Sequence, residues 1–160
     1  MKKYKLTDDT IKYCGHTLYR IEALTDFANV KAGSTGGFVE SEKNLSQDCD
    51  AWVYGNAWVC DNARVYGNAR VCDNAMVCDN ASVISESSIL WISGIGSRLG
   101  TTTVFTDKDG GVLIKCGCFS GTLEEFEKKV DDTHGDMKYG KEYRALIELI
   151  KIHFEVGNGG

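Results

Sequence analysis

The chain has 160 residues, a net charge of −5, 42% apolar side chains, seven cysteines and no proline. That length can bury a modest core, while the acidic balance, with charges of both signs interspersed, argues against a basic nucleic-acid surface and against DNA as a partner. No apolar run approaches the roughly 20 residues of a membrane span, the first residues carry no signal-peptide core, and an odd number of cysteines without a paired framework suits a reducing cytoplasm.

Residues 1–37 read as a small N-terminal β cap. Ile11 to Cys14 and Thr17 to Ala23 are strand-like around Gly15-His16, a tight-turn signal. Lys31 to Gly37 (K-A-G-S-T-G-G) is glycine-rich. A phosphate cradle would need a G-K-[ST] ending and a helix opening after it; neither follows, so a plain loop is expected. Phe38, Val39 and Leu45 look like an irregular lead into the next segment.

From Ala51 to Glu86 the chain reads in sixes: A-W-V-Y-G-N, A-W-V-C-D-N, A-R-V-Y-G-N, A-R-V-C-D-N, A-M-V-C-D-N and A-S-V-I-S-E. One column holds Val53, Val59, Val65, Val71, Val77 and Val83, continued by Ile89. Alanine fills a second column and asparagine a third. Ala and Val two apart share one side of a strand. The Gly-Asn or Asp-Asn that follows accepts the left-handed backbone of a tight corner. A helix is excluded, because a period of six leaves no stable stripe on a 3.6-residue turn. Three such sides would close a coil of about 18 residues, the hexapeptide form of the parallel β-helix. Residues one coil apart would then stack: Tyr54, Cys72 and Leu90; Cys60 and Cys78; Tyr66 and Ile84; Trp52 under Arg70 as a cation–π pair; and Asn56 with Asn74, Asn62 with Asn80 as amide ladders. Trp52, Trp58 and Tyr54 would face outward, available for stacking or a subunit interface. The units build only about two coils, so capping flanks and packing between copies are both expected.

After Ile89 the pattern decays through Leu90, Trp91 and Ile92 to Gly94-Ile95-Gly96-Ser97-Arg98. Thr101 to Thr106 and Val112 to Cys118 read as strands about Asp109-Gly110-Gly111. Thr122-x-x-Glu125 is a capping box opening a helix with Leu123, Phe126 and Val130 on one face, ending near His134-Gly135. A second helix, from about Tyr139 to Phe154, carries Tyr143, Leu146, Ile147 and Ile150 at helical spacing. Gly157 to Gly160 reads as a frayed tail.

Taken together, L-T-D-F-A-N-V-K-A-G, G-G-F-V-E-S-E-K-N-L-S, the A-x-V-x-[GD]-N repeat, G-I-G-S-R, C-G-C-F-S-G-T-L-E-E-F and T-H-G make nearly the whole chain resemble the small hexapeptide-repeat proteins of phage and prophage genomes, which are often labelled transferases or left without an assigned activity. The resemblance implies a left-handed parallel β-helix, often oligomeric. The expected fold is therefore mainly β: a short left-handed parallel β-helix over 38–95, a β cap over 1–37 and an α+β cap over 96–160.

The chemistry is less marked. Hexapeptide acyltransferases resemble one another in a histidine base on a loop or coil edge, which must reach the acceptor. Here the repeats hold no histidine, and His16, His134 and His153 lie in the flanks. A γ-carbonic-anhydrase-like metal site would need histidines from adjacent coils. Cys60, Cys72 and Cys78 share their column with Tyr and Ile and read as packing residues. Cys116-Gly-Cys118 lacks a second pair to complete a zinc set and reads as buried thiols. No catalytic residue, metal or cofactor is expected. One polar cluster remains: Ser97, Arg98, Thr101, Thr102 and Thr103, with Lys115 and His134 brought near. Arg98 could fork onto a phosphate, with backbone N–H groups and threonine hydroxyls completing the cradle, or form an interdomain salt bridge. His134 could cap helix carbonyls or touch a ligand. The expectation is a non-enzymatic, homo-oligomeric phage protein, a trimer, in the cytoplasm of the bacterial host, sequestering a nucleotide-type immune signal. The alternatives are a module gripping a host protein through the Trp52, Tyr54 and Trp58 face, and third, an acyltransferase.

Overall fold

The computed structural model describes residues 1–157. Of the expected tail, residues 158–160 lie outside the described residues. β1 (Tyr4–Tyr13) and β2 (His16–Ala23) form an antiparallel hairpin. They turn at Cys14 and Gly15, both at positive φ (47° and 86°), as a two-residue hairpin loop requires. β3 (Thr35–Val39) takes in Gly36 and Gly37, where the glycine-rich sequence predicts a loop. The reason is close approach. A Cβ at Gly37 would lie 2.4 Å from the Ala57 carbonyl oxygen, and one at Gly36 would lie 2.6 Å from Ile21 Cγ1. Only a bare backbone fits there as a strand.

The repeats supply six strands of two residues each, ending on the valine column: β4 (Trp52–Val53), β5 (Trp58–Val59), β6 (Arg64–Val65), β7 (Arg70–Val71), β8 (Met76–Val77) and β9 (Ser82–Val83). The alanine and valine columns are at most 2% exposed from Ala51 to Val83. Each corner turns on Gly55, Asp61, Gly67, Asp73 or Asp79, at φ of 57° to 65°, as the Gly-Asn and Asp-Asn pairs predict. Parallel pairing joins each strand to the one three units on: Trp52 with Arg70, Trp58 with Met76, Arg64 with Ser82.

The expected left-handed parallel β-helix is nevertheless corrected by the sheet structure. The chain is mainly β, but it forms several small sheets, mixed and antiparallel, in a sandwich-like arrangement, and none closes. One sheet runs β1-β2-β3-β5-β8, while β4-β7 and β6-β9 are separate two-stranded pairs. Of the six short repeat strands only β5 and β8 join a larger sheet, through β3, and the other four remain in isolated pairs. The long strands come instead from the flanks, and they pair antiparallel.

The second large sheet is antiparallel throughout: β10 (Ile89–Ile95), β11 (Gly100–Thr106), β12 (Val112–Cys116) and β13 (Phe119–Thr122) in sequence order. Helix α1 (Leu123–His134) opens on the expected capping box: Glu125 N–H donates to Thr122 Oγ1 (3.3 Å), and Thr122 N–H donates to Glu125 Oε2 (2.8 Å). Helix α2 (Lys138–His153) packs against it. The expected divisions at 37/38 and 95/96 fall within β3 and between two paired strands. No helix among the described residues is long and apolar enough to cross a membrane.

Two cores result. The hairpin and repeats bury one, and the second sheet with α1 and α2 buries the other. β11 divides them, sending Phe105 into the first and Val104 into the second. The hairpin overturns the outward placement of the tryptophans. Trp52 is 1% and Trp58 7% exposed. Tyr4 and Phe27 meet Trp52 edge-on at 6.0 and 5.3 Å, and Tyr13 lies 4.6 Å from Trp58. Half-buried Tyr54 donates to Asn29 Oδ1 (3.1 Å). Arg70 turns from Trp52 to Asn29 and Glu86. At the asparagine corners the backbone N–H groups of Asn56 and Asn62 bond to the Asp73 and Asp79 carbonyls.

Gly37→Ala is expected to cost about 1–3 kcal/mol by overpacking against Ala57. Urea unfolding should show a lower midpoint at an unchanged slope; an unchanged midpoint would contradict the close approach.

Candidate ligand-binding site

The turn Gly96–Leu99 joins β10 to β11 and is closed by Leu99 N–H donating to the Gly96 carbonyl at 3.2 Å. Its position is set from α2. Glu142 Oε2 accepts from Gly96 N–H (2.9 Å), and the Tyr143 hydroxyl fills the space where a side chain on Gly96 would go. Gly96 is also at φ 74°, a second reason for glycine. The turn thus holds Ser97 and Arg98 at the mouth of a cavity of about 370 Å³ between the second sheet and the helices.

Phe119, Phe126 and Tyr143 line the apolar part of this cavity. Phe126 lies 5.4 Å from Phe119 and meets Tyr143 edge-on at 5.6 Å. His134, the last residue of α1, stacks on Tyr143 at 5.6 Å and 28°. The Tyr143 hydroxyl contacts Cys116 Sγ at 3.7 Å. Burial, then this hydrogen bond, pushes the phenol up to about 12.

The polar part is cationic. Arg98 and Lys129 both line the cavity. Arg20, Arg70 and Arg144 are paired with carboxylates. Among the described residues Arg98 and Lys129 have no such partner, so the interdomain salt bridge considered for Arg98 is not formed. Two unpaired cations beside three aromatic rings can hold an anionic group and a planar apolar group together. The volume lies within the range of small-molecule sites.

Of the seven residues expected here, four converge: Ser97, Arg98, Thr101 and His134. Thr101 Oγ1 shares a hydrogen bond with Ser93 Oγ (2.8 Å). Thr102 and Thr103 do not belong to the site, because β11 is covered on both faces and buries them. Thr102 Oγ1 donates to Cys116 Sγ (3.2 Å), and Thr103 Oγ1 accepts from Met76 N–H (3.0 Å). Lys115 falls on the opposite face of β12, beside Cys78 and Asp79. Cys118 is exposed rather than buried, since Gly117 at φ 56° carries it out of the strand. Lys129 joins the site unexpectedly; the only sequence signal is that it follows Phe126 by three positions on one helix face. Helical spacing by itself assigns Phe126 and Tyr143 to the core alone.

A larger cavity of about 420 Å³ lies along Asn62, Arg64, Tyr66, Asn80, Ser82 and Lys108. Its groups are partly spent: the Tyr66 hydroxyl bonds Ser82 Oγ (2.8 Å) and Lys108 pairs with Asp109. Tyr66 is the one aromatic ring in its lining, against three beside Arg98 and Lys129. Comparison of the chain with protein-family models and with curated proteins gave no match.

The raised Tyr143 phenol means that its neutral form is favoured in the folded chain. Its stabilisation is full below the unfolded value near 10 and is lost as pH rises through about 12. Tyr143→Phe should therefore show a shallower fall in urea midpoint between pH 10 and 12 than the parent chain; equal slopes would refute this role.

Proposed function

We propose that this chain binds a small anionic ligand with a planar apolar part, of nucleotide type, in the cavity between the Gly96–Leu99 turn and helix α1. The observation that carries the reading is the pairing of unpartnered Arg98 and Lys129 with Phe119, Phe126 and Tyr143. Arg98 would fork onto a phosphate, with Lys129 as a second point charge. The rings would take the base by stacking, worth about 1–3 kcal/mol. Ser97, Thr101 and His134 would supply the remaining donors at the rim.

The proposed action is to hold the ligand unchanged. In the setting implied by the resemblance to phage hexapeptide-repeat proteins, that withholds a nucleotide signal of host defence in the bacterial cytoplasm. The same reading has the chain as a homotrimer, which sedimentation equilibrium at a single protomer mass would overturn. The rival reading, a protein-binding face built on Trp52 and Trp58, loses its main feature because both rings are covered by the hairpin.

The test is a thermal-shift screen against cyclic and linear nucleotides, ADP-ribose derivatives and acyl-coenzyme A. A ligand at 100 times its Kd adds about 2.7 kcal/mol, a readily visible rise in Tm. Arg98→Ala should weaken binding roughly tenfold or more, as loss of a charged hydrogen bond of about 1.5–3 kcal/mol implies. The ligand should return unaltered on chromatography. A shift that survives Arg98→Ala, or a ligand returned as product, would overturn the proposal.

A further inference from the structure

A second cluster lies on the far side of the second sheet, away from that cavity. Because β3, β5 and β8 run parallel in one sheet, their carboxyl ends lie side by side. The residue after the last strand valine is Glu40 in β3, Cys60 in β5 and Cys78 in β8, and the corners of the last two add Asp61 and Asp79. His16 reaches the same end because β2 runs antiparallel to β3. One donor atom each from His16, Glu40, Cys60 and Asp61 lies within 4.8 Å of all the others.

The individual separations are tighter. His16 Nδ1 is 3.0 Å from Glu40 Oε1, and His16 Nε2 is 3.4 Å from Asp61 Oδ1. Cys60 Sγ is 3.4 Å from Asp61 Oδ2. Zinc bonds of about 2.0–2.3 Å to N, O and S place neighbouring tetrahedral ligands about 3.3–3.8 Å apart, as His16 Nε2 and Cys60 Sγ stand from Asp61; His16 Nδ1 instead makes a hydrogen bond to Glu40, which must give way for Glu40 to ligate the same ion. Backbone donors already orient the carboxylates: Asp61 N–H donates to Glu40 Oε2 (2.7 Å), and Asp79 N–H donates to Asp61 Oδ2 (3.2 Å). Ser120 Oγ donates to Asp79. A small cavity of about 70 Å³ opens beside His16, Cys60, Asp61, Cys78, Asp79 and Lys115. Glu40, Asp61 and Asp79 bring three carboxylates to one imidazole and one ammonium, so the cluster holds surplus negative charge.

We propose that His16, Glu40, Cys60 and Asp61 bind one divalent transition-metal cation of the zinc class. Thiol, imidazole and carboxylate together select that class, whereas calcium and magnesium take oxygen ligands throughout. On binding, the metal–sulfur bond forms as the Cys60 thiol proton passes to water, and one nitrogen of neutral His16 donates its lone pair. Glycine would serve the corner after Cys60 equally well, as Gly55 and Gly67 do elsewhere; aspartate there adds a ligand.

The test uses the full chain stripped with a chelator and titrated with Zn²⁺ by calorimetry and with Co²⁺ by absorbance. One equivalent per protomer is expected, with a near-ultraviolet thiolate-to-cobalt band. Cys60→Ser should abolish that band, and Cys60→Ser and His16→Ala should each weaken Zn²⁺ at least about tenfold. Asp61→Asn should also weaken Zn²⁺ while keeping the corner, because asparagine tolerates the left-handed backbone. Cys72→Ser, at the same repeat position on another face, should change neither, and Arg98→Ala should leave metal binding intact. Absence of a cobalt–thiolate band in the parent chain, or its persistence in Cys60→Ser with neighbouring Cys78 as the thiolate, would overturn the proposal.

Discussion

The structure depends on a backbone constraint repeated every six residues. Two strand residues are followed by a corner at positive φ, and the pair Ala and Val turns inward each time. A left-handed corner disfavours side chains with a Cβ, so glycine and short polar residues fill it. Burial of the valines is what makes the constraint worthwhile, at about 1.5–3 kcal/mol for each fully buried side chain. Exposed ion pairs such as Lys2–Glu42 and Lys31–Asp26 are screened by solvent and contribute little. Packing on the inner columns therefore dominates surface charge in holding the repeats together.

The same constraint shapes the chemistry. Where the corner residue is aspartate rather than glycine, the turn also places a carboxylate at the carboxyl end of a strand. Parallel neighbours then bring Asp61 and Asp79 together, with Cys60 and Cys78 behind them. Asp73 occupies the equivalent corner on another face, where Trp91 Nε1–H donates to it at 3.1 Å. A backbone requirement and a candidate ligand set are met by one residue type.

β11 couples the two halves. Its alternating side chains satisfy two cores at once, and Thr103 ties the strand to Met76 of the repeats. Because both faces are covered, the strand is a fixed wall against which Gly96–Leu99 and the helices can be set. Arg98 is exposed, yet its turn is held by Glu142 and Tyr143 from α2. The cavity therefore owes its shape to contacts between elements far apart in the chain.

Local rules were legible from the residues alone. The capping box at Thr122 and Glu125, the inward Ala and Val columns, the Gly and Asp corners and the closeness of Ser97, Arg98 and Thr101 rest on spacing within a few residues. Such geometry is set by dihedral preference and short-range alternation. Tertiary structure decided what those rules leave open. Period-two alternation says which side chains share a face, but not what covers it. The hairpin buried Trp52 and Trp58, β11 lost Thr102 and Thr103 to its two cores, and Lys115 turned to the far face of its sheet. Strand pairing is likewise non-local: six short units could not by themselves specify whether their edges close on each other or are taken up by the longer flanking strands. Gly36 and Gly37 became strand because Ala57 and Ile21 lie close enough to exclude any side chain.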